Sequence, residues 1–170
     1  PMTDTAAIHR WLDEHRISEI ECLTSDMSGQ SRGKIVPRHK YDPAFGLRLP
    51  EAVFAMTVTG EYPEKDFTAV ADPDMRLLPD ASTICLVPWA KEPTAQIIHD
   101  CVTFDGQPVD LSPRNVLKRI LALYAAEGWQ PVIAPEMEFY LVQVEPDEDI
   151  PLKPPTGRTR RSEPGMQSFS

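Results

Sequence analysis

The first apolar signal along the chain is helical. Between residues 4 and 16, Ile8, Trp11, Leu12 and His15 recur at steps of three and four behind Thr3 in the N-cap position, predicting an amphipathic helix with His15 at the edge of its buried stripe. The period then falls to two. Ile17 to Thr24 alternates, Asp26-Met27-Ser28-Gly29-Gln30 supplies turn residues, and Arg32 to Val36 alternates again, which together predict a β-hairpin. No period holds from Pro37 to Pro50. Ala52 to Thr59 reads as a short strand running into a polar loop from Gly60 to Asp72, and a loop of that length in a compact domain usually carries a function. Two more strands are predicted at Thr83 to Trp89 and Ala95 to Phe104, the second closed by the Asp105-Gly106 turn. Ser112 as N-cap and Pro113 in the first turn then open a helix whose buried face is Val116, Leu117, Ile120, Leu121 and Tyr124, with Gly128 as its stop. A long strand follows at Pro131 to Val144, and Glu145 to Ser170 has no apolar period. No internal repeat is visible.

One helix on a small mixed sheet, then a second helix and a strand opening a new sheet, is an α+β pattern with a boundary near residues 105–112. At 170 residues the chain has room for one core, or for a small domain and the opening of a larger one. Composition narrows the class: 41% apolar and 25% charged residues exclude collagen-like, disordered and disulfide-scaffold proteins. The 18 prolines, many of them past residue 130, mark the tail as extended loop. A formal charge of −9 argues against a nucleic-acid partner, because affinity for phosphate backbones comes from cationic side chains. No stretch approaches the roughly 18 apolar residues of a membrane span, and the N-terminus has no basic region followed by an apolar core. No membrane partner is therefore expected, and the default location is cytoplasmic. Cys22, Cys85 and Cys101 form no CxxC pair and are read as small buried hydrophobes.

Chemistry concentrates in Val132-Ile133-Ala134-Pro135-Glu136-Met137-Glu138-Phe139-Tyr140-Leu141-Val142. On a strand, Glu136 and Glu138 share a face with Val132, Ala134, Tyr140 and Val142. If that face is buried, each carboxylate costs several kcal/mol of desolvation, by order of magnitude, unless cations or donors neutralise it. Hard divalent ions such as Mg²⁺ or Mn²⁺ meet the need. A polar sheet edge facing water is the other reading of the same spacing.

Pro135-Glu136-Met137-Glu138-Phe139-Tyr140-Leu141 resembles the P-E-x-E-F-[FY]-L segment that opens the metal-binding funnel of glutamine synthetases. Asp74-Met75-Arg76-Leu77-Leu78-Pro79-Asp80 is similar to the D-x-x-L-x-P-D element of their N-terminal domain, and Asp26 to Lys34 to its D-x-x-G-x-x-R-G-K hairpin. The three stand in the family's order and spacing and span nearly the whole chain. Gly157-Arg158-Thr159-Arg160-Arg161 and Gln167-Ser168-Phe169-Ser170 most resemble the γ-glutamylpolyamine synthetase branch.

This resemblance implies an N-terminal β-grasp domain over residues 1–105 and, over 106–170, the truncated beginning of the guanido-kinase-like catalytic domain. It implies an ATP-dependent ligase that makes a γ-glutamyl phosphate intermediate and passes the acyl group to ammonia, an amine or a polyamine. The partners it implies are glutamate, ATP and the amine, with Mg²⁺ or Mn²⁺ as cofactor. It also implies self-association into a ring-type homo-oligomer, a dodecamer of two rings with sites between subunits. By motif, Glu138 would help hold the metal nearest glutamate and Glu136 the metal bridging the nucleotide phosphates. Thr57 stands where the family commonly has an acidic residue that helps bind ammonium, which argues against ammonia as the substrate unless the alignment slips in this loop.

The family's remaining metal ligands, glutamate-binding arginines and adenine pocket would lie past Ser170, so the chain alone is expected to be inactive. Two other readings stand beside the ligase: a non-catalytic structural or regulatory relative, and a free-standing β-grasp binding module. Phosphate contact is one reading of Arg32 and Lys34, but on a hairpin distant from the Glu pair they are read as solvated or paired within the sheet. Arg158, Arg160 and Arg161 read as a solvated run, the Tyr62–Phe67 stretch as a subunit latch or a plain surface loop, and His39 and His99 receive no role.

Overall fold

A computed structural model describes residues 5–62, 73–144 and 149–156. Thr3, most of the Gly60–Asp72 loop with residues 63–67 of the latch candidate, the arginine run at 158–161 and the final four residues therefore lie outside the described residues. The chain divides into two compact units, Pro1–Gln130 and Pro131–Ser170.

The first unit opens with α1 (Thr5–Glu14), which buries Ile8 and Leu12 as their spacing predicts. It stops at Arg16, whose φ of 52° turns the chain. The Ile17 amide then donates to the Leu12 carbonyl (2.9 Å) and the Arg16 amide to that of Asp13 (3.0 Å), closing a Schellman motif. A non-glycine residue at such a φ costs on the order of 1 kcal/mol, offset here by Ile17 and Leu12 entering one apolar cluster. His15 is exposed and stacks on Trp11 at 3.9 Å, the core-edge position expected of it.

Among the described residues six strands follow: β1 (Glu19–Ser25), β2 (Ser31–Pro37), β3 (Leu47–Pro50), β4 (Asp74–Pro79), β5 (Cys85–Leu86) and β6 (Thr94–Val102). The sheet order is β2-β1-β6-β4-β3, with β5 also paired to β6. The hairpin forms as predicted, in register from Glu19↔Pro37 to Ser25↔Ser31. Its second strand needs glycine at 33, since a Cβ there would lie 1.9 Å from the Cys22 carbonyl oxygen. β6 is the spine: its first half runs parallel to β1 from Glu19↔Thr94, and its second half is antiparallel to β4 from Pro79↔His99. Alternation buries Ala95, Ile97, His99 and Cys101 on one face. One apolar cluster gathers under α1 (Ile8, Leu12, Ile20, Val36, Ile97 among others), and a second gathers Leu49, Phe54, Met75, Leu77, Cys101 and Val109.

Several expectations are corrected. Ala52–Thr59 is not a strand: Glu51–Ala55 is a 3₁₀ helix that drives Phe54 into the second cluster, fully buried. An apolar run too short to show a period fits either state, and Phe54 gains more from burial than from alternation. The predicted strand at 83–89 shrinks to β5, because Asp80 caps a 3₁₀ turn at Ala81–Thr83 through the Ser82 amide. β3 lies inside a stretch that showed no period. Of the cysteines, Cys22 and Cys101 are buried but Cys85 is exposed.

α2 (Pro113–Ala126) begins and ends where predicted, and Gly128 at φ 74° closes it through Trp129 N–H to Tyr124 O (2.9 Å). Ser112 occupies the N-cap position without a capping hydrogen bond from its side chain. The first turn is held instead by Asn115, whose amide donates to the carbonyls of Cys101 (2.7 Å) and Val109 (3.0 Å). The face predicted to be buried is not: Val116, Leu117, Ile120, Leu121 and Tyr124 are between 38% and 52% exposed. No described helix is long and apolar enough to cross a membrane.

In the second unit, residues 131–144 form no strand among the described residues, which corrects the long strand expected there. Alternation supplies a face but not a neighbour, and a strand exists only as part of a ladder. The Gln143 amide donates to the Lys153 carbonyl (2.9 Å) and its side chain to Thr156 Oγ1 (2.9 Å).

Candidate metal-binding and amine-binding residues

Thr57 lies just past the 3₁₀ helix, exposed, at the head of a tight turn. Its N–H donates to the Glu61 carbonyl (2.8 Å), and Gly60 N–H donates back to the Thr57 carbonyl (3.0 Å). The Glu61 amide donates to Thr57 Oγ1 (3.0 Å), which also lies 2.9 Å from Thr59 Oγ1. The hydroxyl therefore closes its own turn and leaves the exposed side of that turn without a fixed charge from residue 57.

The hairpin tip reaches this turn. Gln30 Nε2 donates to the Val58 carbonyl (3.1 Å), and Arg32 Nη2 lies 3.5 Å from the Thr57 carbonyl. Beneath them Asp26 is 2% exposed. Its Oδ1 accepts from the amides of Ser28 and Gln30 (2.9 Å each), and its Oδ2 accepts from Arg32 Nε (2.7 Å). Burial alone would raise the Asp26 carboxyl, but the Arg32 guanidinium and the two amides prevail and hold it below the usual carboxylate range. Among the sequence readings of Arg32, pairing within the hairpin is the one observed.

A second charged group pins α2 to the sheet. Arg114 bridges Asp80 and, at 2.8 Å, Asp100, which also pairs with Lys118. The Ser82 hydroxyl and amide together with the Arg114 and Lys118 charges lower the Asp80 carboxyl against the opposing effect of burial. Sequence reasoning passed over this cluster; its signal was the Arg114–Lys118 pair one helical turn apart on the helix that follows β4 and β6.

Glu136 and Glu138 belong to the second unit. Both are exposed, and neither has a salt-bridge or hydrogen-bond partner among the described residues. Two unengaged carboxylates offer hard oxygen donors of the kind Mg²⁺ and Mn²⁺ prefer, so the pair fits part of such an ion's shell. Among the described residues no group of three or more His, Cys, Asp or Glu gathers, so further ligands would have to come from elsewhere.

The titratable group missed by sequence reasoning is His99. It is fully buried, its Nδ1 donates to the Ile97 carbonyl (2.9 Å), and Nε2 faces the Tyr41 hydroxyl at 3.4 Å. Burial pushes its pKa down to about 4.

Residues 110–170 match the family profile described as glutamine synthetase, catalytic domain. The γ-glutamylputrescine synthetase PuuA of Escherichia coli (strain K12) is 32% identical over 157 residues, covering 89% of this chain and 33% of that protein. A glutamate–isopropylamine ligase of a Pseudomonas species is 31% identical over 141 residues, covering 79% of this chain and 30% of that protein. Among solved structures, a GmaS/ADP complex superposes with a TM-score of 0.56 at 27% identity, covering 74% of this chain and 26% of that one. The chain thus spans about a third or less of the length of these relatives. Fold and sequence define a mixed α/β, sheet-rich chain whose relatives carry synthetase and ligase names. The chain belongs to the glutamine synthetase family.

Proposed function

We propose that this chain is the N-terminal part of an ATP-dependent glutamate–amine ligase, with a β-grasp domain over residues 1–105 and the opening of the catalytic domain over 106–170. The observation that carries the reading is the carboxylate pair Glu136 and Glu138 inside the segment that matches the catalytic-domain profile. In the proposed reaction the γ-phosphoryl of ATP passes to the side-chain carboxylate of glutamate, giving ADP and an acyl phosphate. An amine then attacks the acyl carbon, phosphate leaves, and the nitrogen gives up a proton. Bound Mg²⁺ or Mn²⁺ would supply charge neutralisation on the transferring phosphoryl. Glu138 would hold the ion nearest glutamate and Glu136 the ion on the nucleotide phosphates.

An amine or polyamine acceptor fits better than ammonia. Residue 57 brings no carboxylate to attract ammonium, and two relatives are named for putrescine and isopropylamine. The working protein is a cytoplasmic homo-oligomeric ring on this reading, with the first unit of one subunit beside the catalytic funnel of the next. The test is ATP hydrolysis by the full-length protein with glutamate and a panel of amines that includes ammonia. ADP release should depend on one class of alkyl amine and be weaker with ammonia. Release that ignores every amine, or no release at all, sinks the ligase reading.

A further inference from the structure

The turn at Thr57–Glu61 is closed by bonds within itself, and those bonds fix its shape but not its place. Its place is set on one side by the 3₁₀ helix before it, anchored by the buried Phe54, and on the other by the hairpin tip, almost thirty residues earlier in the chain. Gln30 is committed there on both backbone sides: its N–H donates to Asp26 Oδ1 (2.9 Å), and its carbonyl accepts from the Asp26 amide (2.9 Å). With its backbone pinned to a buried, ion-paired carboxylate, the Gln30 side chain extends from a rigid base to the Val58 carbonyl. Arg32 is less suited to the task, since its Nε is engaged with Asp26 and its Nη2 stands 3.5 Å from the Thr57 carbonyl.

We propose that Gln30 is the positioning residue of the amine subsite, holding the Thr57–Glu61 turn at the distance that selects the acceptor. The proposal rests on the assignment of Thr57 to that subsite. Gln30 touches no reacting atom; it acts through Val58 and the turn. Loss of a single neutral hydrogen bond from a partly exposed side chain changes an equilibrium by about threefold to tenfold. An effect of that size belongs in the affinity for the amine rather than in the chemical step.

The experiment uses the full-length protein with Gln30→Met, which keeps the side chain's length and removes its donor, and Thr57→Asp as the comparator. Gln30→Met should raise KM for the amine about threefold to tenfold. Its kcat, its KM for glutamate and ATP, and its melting temperature should stay near wild type. Thr57→Asp should move preference from the alkyl amine toward ammonia. If Thr57→Asp shifts preference while Gln30→Met leaves the amine KM unchanged, the positioning role is wrong and the subsite stands. If Gln30→Met depresses every kinetic constant in step with the melting temperature, Gln30 is a structural residue only and the proposal falls. If neither variant moves amine selectivity, the subsite assignment itself is wrong and takes the proposal with it.

Discussion

His99 shows what one side chain in an apolar row does to the pH behaviour of the chain. Its folded pKa, about 4, lies below the ordinary 6.5, so between those values the unfolded state binds the extra proton. Its contribution to stability is therefore complete above pH 6.5 and is lost as pH falls toward 4. A depression of this size corresponds to about 3 kcal/mol at most. Asp26 and Asp80, whose carboxyls are lowered, add to the loss only below the usual carboxylate range. Urea midpoints measured from pH 7 to pH 4.5 should fall steadily for the wild type and more shallowly for His99→Phe; identical slopes would show that the histidine is not the group that titrates. The sequence hid this role, because a histidine alternating with Ala95, Ile97 and Cys101 looks the same whichever face of the strand is covered. Asp26 was more legible: a D-x-x-G-x-x-R string carries its own turn bonds and its own cation. Even so, the reach from Gln30 to Val58 had no local signal.

Elements whose bonds are local were read well; of those that depend on distant neighbours, β6 was read from its alternation and β3 was not. α1, the β1–β2 hairpin and α2 are each fixed by caps, turns and periods within a short window, and each stands where its pattern predicted. β3 exists only through its pairing with β4, and the strand expected past residue 130 has no such partner among the described residues. α2 adds a further case, for its pattern gave its ends correctly while its apolar face stays half exposed. The helix is secured at its first turn, where Asn115 binds two carbonyls that each keep a second donor, from the amides of Val109 and Ser112. Removing the side chain should therefore cost only about 1–2 kcal/mol. Asn115→Ala is expected to speed amide exchange across Val116–Tyr124 by about tenfold while leaving β1 and β6 near wild type. Equal acceleration in the strands would mean that α2 opens only with the whole unit.

For the molecule as a whole, family membership was legible from three short strings, and their order and spacing mattered more than any one of them. The proposed metal pair was legible as a motif alone, because the remaining ligands are not within it. The strand geometry expected for that pair is absent from the described second unit, so its assignment rests on sequence and donor chemistry. Glu138→Ala in the full-length protein should lower kcat by at least about a hundredfold at saturating Mg²⁺, the several kcal/mol that a metal ion supplies to a transferring phosphoryl. Turnover near wild type would remove Glu138 from the metal site.

The parallel pairing of β1 with β6 sets a timetable for the newborn chain. Glu19 must find Thr94, so β1 leaves the ribosome with only its hairpin partner and waits while the intervening segment is made. At about 5–20 residues per second that wait lasts for seconds. Throughout it, one edge of β1 offers open hydrogen-bonding groups to any passing polypeptide, and protection arrives only when residues 94–98 have cleared the exit tunnel.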